Sequence, residues 1–282
     1  MTIDVADAAK EIVKANVSEV YKDSLQPAVR IIGNSLAQCA SLLVSPVGRV
    51  AVIFEKNINK CLDKLEEVPE ENLIEPDSRI AVPVLEKLRY VQDEKVSDYY
   101  AEILASASQK NKKNRVMLSY IEILNRVTAD ELKILEYINS EKNIIDISDW
   151  TEEEKKIYHI SNDIKFLTLR GTIPVIDVSI NLKVGYKALI KNFNYLSEKI
   201  SLDSDVNISS YIDNLISLGL CTRPPENLAM KPIYKQLKNH PKISSIPLQA
   251  DQKIKIDEKK IDLTDLCKSL LLLCQKNENE NN

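Results

Sequence analysis

The chain has 282 residues, 44% of them hydrophobic and 28% charged, with a formal net charge of −4. That length can bury a sizeable core, but the charge balance supplies no global basic field for holding nucleic acid or anionic lipid. Only five glycines are present, which argues against phosphate-cradling loops and nucleotide-fold turns and favours long helices with few tight corners.

Residues 5–21 place Val5, Ala9, Ile12 and Val20 near one stripe, the pattern of an amphipathic helix. Pro27 interrupts. Beyond it Val29, Ile32, Leu36, Cys39 and Leu43 recur at spacings of three and four; Pro46 breaks the run, and Val50, Phe54, Ile58, Cys61 and Leu65 resume it. Residues 31–48 carry no charge but include Asn34, Ser35, Gln38, Ser41 and Ser45. A spanning helix needs roughly 20 mostly apolar residues, so the expectation is a buried helical hairpin over residues 26–54. The alternative is conditional insertion of that hairpin into a membrane, led by Ile32, Leu36, Leu43, Val50 and Phe54.

An acidic strip follows, with Asp63, Glu66, Glu67, Glu70, Glu71 and Glu75 set against Lys64, and Pro69 and Pro76 in its length. It reads as a solvated linker of no fixed geometry rather than a metal site. The next segment is helical: Asp93 can cap a helix whose inner face is Val96, Tyr99, Ile103 and Ala107. Asn111 to Asn114 is a polar break, and Met117, Tyr120, Ile121 and Leu124 mark another helix. Thr128 and Glu131 have capping-box spacing, with Val127 and Leu132 placed to staple the helix that runs through Ile138.

After Asn143 the character changes. Thr151 and Glu154 cap a short helix containing Ile157. Residues 172–180 are rich in β-branched side chains and read as a strand or extended loop, confined to a sheet edge by Pro174. Leu189, Phe193, Leu196 and Ile200 have helical spacing. Ile208, Ile212, Leu215 and Leu218 mark a helix ended by Gly219. Residues 220–223 form a short strand, and Lys253-Ile254-Lys255-Ile256-Asp257 alternates as a second strand should. Asp262 or Thr264 caps a last helix carrying Leu266, Leu270, Leu273 and Cys274. The fold expected is mainly α: a helical region with its hairpin and acidic linker over 1–75, a central helical bundle over 76–127, a winged-helix-like domain with a small β-wing over 128–275, and a disordered tail over 276–282.

Several segments in order resemble the abortive infection alpha (Abi-alpha) family of bacterial proteins. They are Val20-Tyr21-Lys22-Asp23-Ser24-Leu25-Gln26-Pro27-Ala28, Ser45-Pro46-Val47, Glu75-Pro76, Ile80-Ala81-Val82-Pro83-Val84-Leu85 and Tyr99-Tyr100-Ala101-Glu102-Ile103-Leu104-Ala105-Ser106-Ala107. Further on come Ser119-Tyr120-Ile121-Glu122-Ile123-Leu124, Thr128-Ala129-Asp130-Glu131-Leu132, Asn214-Leu215-Ile216-Ser217-Leu218-Gly219-Leu220 and Leu263-Thr264-Asp265-Leu266-Cys267. None is specific alone; their order over most of the chain carries the resemblance. The chain departs from the family pattern at Met117-Leu118, where relatives often show His-Pro, and at Cys267, where they often show Gly. The resemblance implies a bacterial defence protein that limits phage spread by harming or arresting the infected cell. It implies no catalytic residue list.

The residues themselves offer little chemistry. His159 and His240 are the two histidines, neither with a local partner at metal-ligand or nucleophile–base spacing. No Walker, zincin or nucleophile-elbow motif is present. Cys39, Cys61, Cys221, Cys267 and Cys274 form no C-x-x-C pair and read as buried free thiols of a reducing compartment. With no secretory apolar core after Met1-Thr2-Ile3-Asp4, the expected location is the cytoplasm. No catalytic residue, metal or cofactor is expected, and the chain reads as a non-enzymatic sensor, toxin or adaptor. Its expected partner is a phage or host protein or a co-encoded defence protein, with self-association left open. A nucleic-acid contact is the further alternative. Residues 220–260 hold nine basic against four acidic residues, among them Arg223, Lys231, Lys235, Lys253 and Lys255. The helix that would read bases, residues 207–218, carries no Lys or Arg and includes Asp213, which favours protein packing over DNA reading.

Overall fold

The computed structural model describes residues 26–37, 49–182, 184–225, 228, 231–250 and 252–274. The expected helix over 5–21, the bend at Pro46 with Cys39 and Leu43, and the tail over 276–282 lie outside the described residues. The chain divides into two compact units, 1–129 with 269–282, and 130–268.

The first unit is helical: α1 (Gln26–Ala37), α2 (Arg49–Asp63), α3 (Ser78–Leu88), α4 (Glu94–Ala107) and α5 (Leu118–Leu124). Local signals set the helix starts. Asp77 Oδ1 accepts from Arg79 N at 2.9 Å to open α3, and Asp93 Oδ1 accepts from Val96 N at 2.9 Å to open α4. The stripe Val96, Tyr99, Ile103 and Ala107 is buried as its spacing requires. Three ion pairs join α2, with the residue that follows it, to α4: Lys56–Glu94, Lys60–Asp98 at 2.8 Å and Lys64–Glu102 at 2.9 Å. Each rung lies four residues further along both helices, so the two run parallel and the ladder fixes their register.

Asn57, only 3% exposed, lies on α2 between the rungs. Its Nδ2 donates to Leu88 O at 2.8 Å and Val91 O at 2.9 Å, satisfying carbonyls that the end of α3 leaves without helical partners. Asn57→Leu removes both bonds at nearly constant volume and leaves buried acceptors unmet. The expected loss is about 1–3 kcal/mol, read as a lower urea midpoint with an unchanged denaturant slope.

The acidic strip has a defined geometry. Glu70–Asn72 forms a turn of 3-10 helix, and Leu73 is buried and bridges Gln109. Ile74 N donates to Ser108 O at 2.9 Å and Lys110 N to Asn72 O at 2.9 Å, while Glu70 pairs with Arg30 at 2.9 Å. The strip reads as a linker in the sequence because the buried Leu65 and Leu73 sit among carboxylates with no regular period.

The second unit overturns the fold expected from the sequence. Beside its helices the chain forms two sheets, one of them a curled four-stranded half-barrel; the protein is α/β, not mainly α with a winged helix. After α6 (Ala129–Asn139) come β1 (Ile144–Asp146), α7 (Glu152–Ile157), β2 (Phe166–Thr168), β3 (Thr172–Asn181), β4 (Tyr186–Phe193), α8 (Leu196–Lys199) and α9 (Ile208–Ser217). The unit closes with β5 (Cys221–Thr222), α10 (Lys231–Asn239), α11 (Pro241–Ser244), β6 (Ile254–Leu263) and α12 (Asp265–Cys274), whose last turns belong to the first unit. β1 and β2 pair antiparallel, and the larger sheet runs β4-β3-β6-β5, also antiparallel.

Two residue patterns explain the error. Leu189, Phe193, Leu196 and Ile200 imitate a helical stripe, but the first two lie on β4 and Leu196 on α8, separated by a turn. The expected wing strands do not pair with each other: Cys221 of β5 pairs with Leu263 at the far end of β6, which is ten residues long, while Ile254 to Asp257 pair with β3. Two helices, α10 and α11, lie between β5 and β6. β3 is central, and Pro174 is tolerated because β4 pairs with β3 only from Ile176 onward, leaving residues 172–175 with β6 alone. Irregular register between Ile176 and Ser179 marks a bulge, which bends the strand and curls the sheet.

Several local expectations hold. Thr151 and Glu154 form a reciprocal capping box on α7. Gly219 ends α9 at φ +72°, a conformation L side chains rarely adopt, and Thr264 Oγ1 accepts from Cys267 N at 3.2 Å to start α12. Among the described cysteines all four are free: Cys61, Cys221 and Cys267 are buried, and Cys274 is half-buried. The core of the larger sheet gathers Ile176, Val178, Tyr234, Leu237 and Ile243, packing α10 and α11 against β3.

Candidate functional site

A cavity of about 390 Å³ opens in the second unit where the single-sided stretch of β3 leaves a gap. Ile173 and Pro174 form one wall, Ile144 and Ile145 of β1 another, and Tyr137 of α6 closes a third side. Three carboxylates, Asp146, Asp149 and Glu198, face it against one lysine, Lys199.

Each polar group is positioned by a local device. Asp146 ends β1, and its Oδ1 accepts from Ser148 N at 2.8 Å in an Asx turn. The hydroxyl and backbone N–H of Ser148 hold the Asp146 carboxyl below the usual carboxylate range, helped by Lys199. Gln236 on α10 donates from Nε2 to Asp146 O at 2.8 Å and to Asp149 Oδ1 at 2.7 Å, tying both acidic positions to one helix. Asn194, 7% exposed, turns the chain from β4 into α8: its Oδ1 accepts from Leu196 N at 2.8 Å and its Nδ2 donates to Asn192 O at 2.7 Å. That turn presents Tyr195 and Glu198. Burial, with the charges of Glu198 and Asp149, pushes the Tyr195 hydroxyl up to about 12, so it stays a neutral donor near pH 7.

His240 stands behind Glu198. Its Nδ1 accepts from Lys242 N at 3.2 Å as the N-cap of α11, and its Nε2 lies 2.9 Å from Glu198 Oε1. An Nδ1 that accepts places the ring proton on Nε2, which therefore donates to Glu198. The imidazole packs against Phe193 and Tyr195 at centroid distances of 5.0 and 6.1 Å. Both ring nitrogens are engaged.

The residues singled out in the sequence lie elsewhere. Arg223 donates to Asn192 Oδ1 and sits 3.7 Å from Asp213, inside a polar cluster where Asp177 Oδ1 accepts from Asn192 N at 2.8 Å. Asn192 adopts φ +55° there, which its short amide tolerates. Lys231 pairs with Glu258 at 2.7 Å and lies over the Tyr234 ring, and Lys235 is exposed on α10. Lys253 immediately precedes β6 and Lys255 is its second residue. In the first unit Ile32 and Phe54 are 0% and 2% exposed and Val50 is half-buried. The side chain of Leu36 and all of Leu43 fall outside the description. No described helix is long and apolar enough to cross a membrane. His159 terminates α7 at φ +56° beside a shallow open depression.

No described group of His, Cys, Asp and Glu has the disposition of a metal site. Sequence reading missed Asp146, Asp149, Glu198 and Gln236. The available signal was the apolar pair Ile144-Ile145 bracketed by Asn143 and Asp146, a strand of three residues that is too short for periodicity to register.

Comparison with known proteins gives one result. The family model described as abortive infection alpha matches residues 50–274. No curated protein matches the chain, and no solved structure does.

Proposed function

Because the chain belongs to the abortive infection alpha family, we propose that it serves abortive-infection defence by binding rather than by catalysis. The cavity of the second unit engages a cationic group of a phage or host protein. The observation that carries this reading is the commitment of His240: with Nδ1 capping α11 and Nε2 bound to Glu198, neither nitrogen is free to take a proton from a substrate. Asp146, held in its charged form by Ser148, serves as a fixed negative charge rather than a proton carrier. Carboxylates beside an aromatic ring suit a guanidinium or ammonium group.

Nα-acetylated arginine amide (arginine amide below) and its uncharged isostere, Nα-acetylated citrulline amide (citrulline amide below), test this. Arginine amide is expected to raise the thermal midpoint of the full chain, and citrulline amide is not. Asp146→Asn with Asp149→Asn is expected to weaken arginine amide binding at least about tenfold, one lost charge-assisted contact being worth roughly 1.5–3 kcal/mol. Equal responses to the two amides, or no response to either, contradict the reading.

A further inference from the structure

The β3–β4 hairpin ends in a tip whose chemistry the cavity does not use. Leu182, Val184 and Tyr186 are 44%, 90% and 63% exposed within five residues. Isolated exposed apolar residues are ordinary, but three on one turn are a concentrated feature. The turn is closed by Leu182 N donating to Gly185 O at 2.9 Å, with Gly185 at φ +81°. Leu182, Val184 and Tyr186 are thereby turned to solvent. Residues 181–187 contain no acidic residue.

Lysines surround the turn. Lys187 on β4 is exposed and pairs across from Ile180. Lys253, also exposed, accepts from Asn181 N at its carbonyl at 3.1 Å and donates from its own amide to Asn181 Oδ1. Lys255 pairs across from Ser179, and its ammonium lies 5.0 Å from the Tyr186 ring centroid. The facing acid is Asp257, 3.4 Å from Lys255. Lys187 and Lys253 thus flank the apolar tip on two neighbouring edges of the same sheet end.

We propose that this tip docks on an anionic lipid surface. Leu182, Val184 and Tyr186 enter the headgroup layer, and Lys187, Lys253 and Lys255 meet the phosphates around it. An apolar tip with a basic collar matches a bilayer interface in both layers at once: hydrocarbon for the tip, anionic headgroups for amines on flexible stems. Tyrosine, apolar in body and polar at its end, suits that boundary. Nucleic acid satisfies the lysines but offers nothing to Leu182 and Val184, which is why the lipid surface is the occupant inferred. The inference is independent of the cavity, which Asp146 and Glu198 define.

The test is co-sedimentation of the full chain with vesicles of phosphatidylcholine alone or with roughly one-third phosphatidylglycerol, at low and high salt. Binding to the anionic vesicles alone, falling as salt rises, is expected. Val184→Asp, at a 90% exposed turn position that folding does not use, is expected to lower partitioning at least about tenfold. Lys187→Glu with Lys253→Glu is expected to abolish the preference for phosphatidylglycerol. Tyr186→Trp adds an interfacial reporter whose emission shifts to the blue on anionic vesicles, against the buried Trp150 background. No binding to either vesicle overturns the inference. Partitioning unchanged by Val184→Asp overturns it as well. So does a nucleic-acid probe that binds at the same salt and competes the vesicles off while being indifferent to Val184→Asp, since it reassigns the lysines to a phosphate backbone.

Discussion

Asp130→Ala is expected to cost about 3–5 kcal/mol, enough to unfold the second unit at moderate temperature, because it strips one buried acceptor from many donors at once. Asp130 is 3% exposed at the first turn of α6. Its carboxylate accepts from Asp203 N at 2.9 Å, Ser204 N at 3.1 Å, Tyr211 Oη at 3.3 Å and Lys133 Nζ at 3.0 Å. These bonds draw the segment before α9 onto α6, and the neighbouring Glu131 Oε1 accepts from Asn214 Nδ2 at 2.7 Å on α9 itself. Alanine leaves the Asp203 and Ser204 amides and the Tyr211 hydroxyl without this acceptor, and leaves the Lys133 ammonium with Asp203 Oδ1 at 3.3 Å. Asp130→Asn is expected to be milder, since its oxygen still accepts from an amide.

The same contacts give stability a pH dependence. Burial alone would raise the Asp130 carboxyl, but the Asp203 and Ser204 amides and the Lys133 ammonium outweigh it and hold the carboxyl below its ordinary 3.8. A carboxyl depressed in the folded state stabilises above its unfolded pKa, and that contribution disappears as pH falls through the folded value. Wild type is therefore expected to lose stability below about pH 4 more steeply than Asp130→Asn, as measured by chemical denaturation at a series of pH values. Parallel profiles for the two proteins would contradict this role.

Phe54→Ala is expected to cost about 3–5 kcal/mol, with a loss of thermal midpoint to match. Phe54 lies 2% exposed on α2, alongside Ile58, Cys61 and Leu62, all buried. Burial of the thiol also drives the Cys61 pKa far up, so Cys61 is inert to alkylation while the unit stays folded. The result discriminates between two roles for the helices over residues 26–54. A residue held in reserve for lipid contributes little to the stability of the free protein, whereas a core residue contributes most of its transfer energy. Retained stability in Phe54→Ala, with Cys61 still protected, would contradict the core assignment.

Legibility of the sequence followed element length and local closure. α4 and α7 were readable because Asp93, and Thr151 with Glu154, announce their starts, and in α4 the buried face repeats at helical spacing. Gly219 gave the end of α9 for the same reason, a conformation one residue type supplies cheaply. The sheet was hidden. β4 shows its mostly exposed face, so alternation does not mark it, and a bulge shifts its register against β3. β1 and β2 are three residues each, below what any period can resolve. The cavity was unreadable for a further reason: its acids come from β1, the turn after it and α8, brought together only because β4 stops short of Pro174. The family was legible where the fold was not, because ordered motifs over most of the chain do not require their secondary structure to be known.

Protection against phage, scored as efficiency of plating in cells expressing each variant at equal soluble level, tests binding against catalysis most directly. Asparagine keeps the α11 cap that His240 supplies, since it is a strong N-cap residue, but abolishes imidazole chemistry. If the cavity acts by recognition, His240→Asn keeps protection close to wild type and Asp146→Asn with Asp149→Asn loses it. Loss of protection in His240→Asn, with thermal midpoint and arginine amide binding intact, would mean that a reactive imidazole does the work.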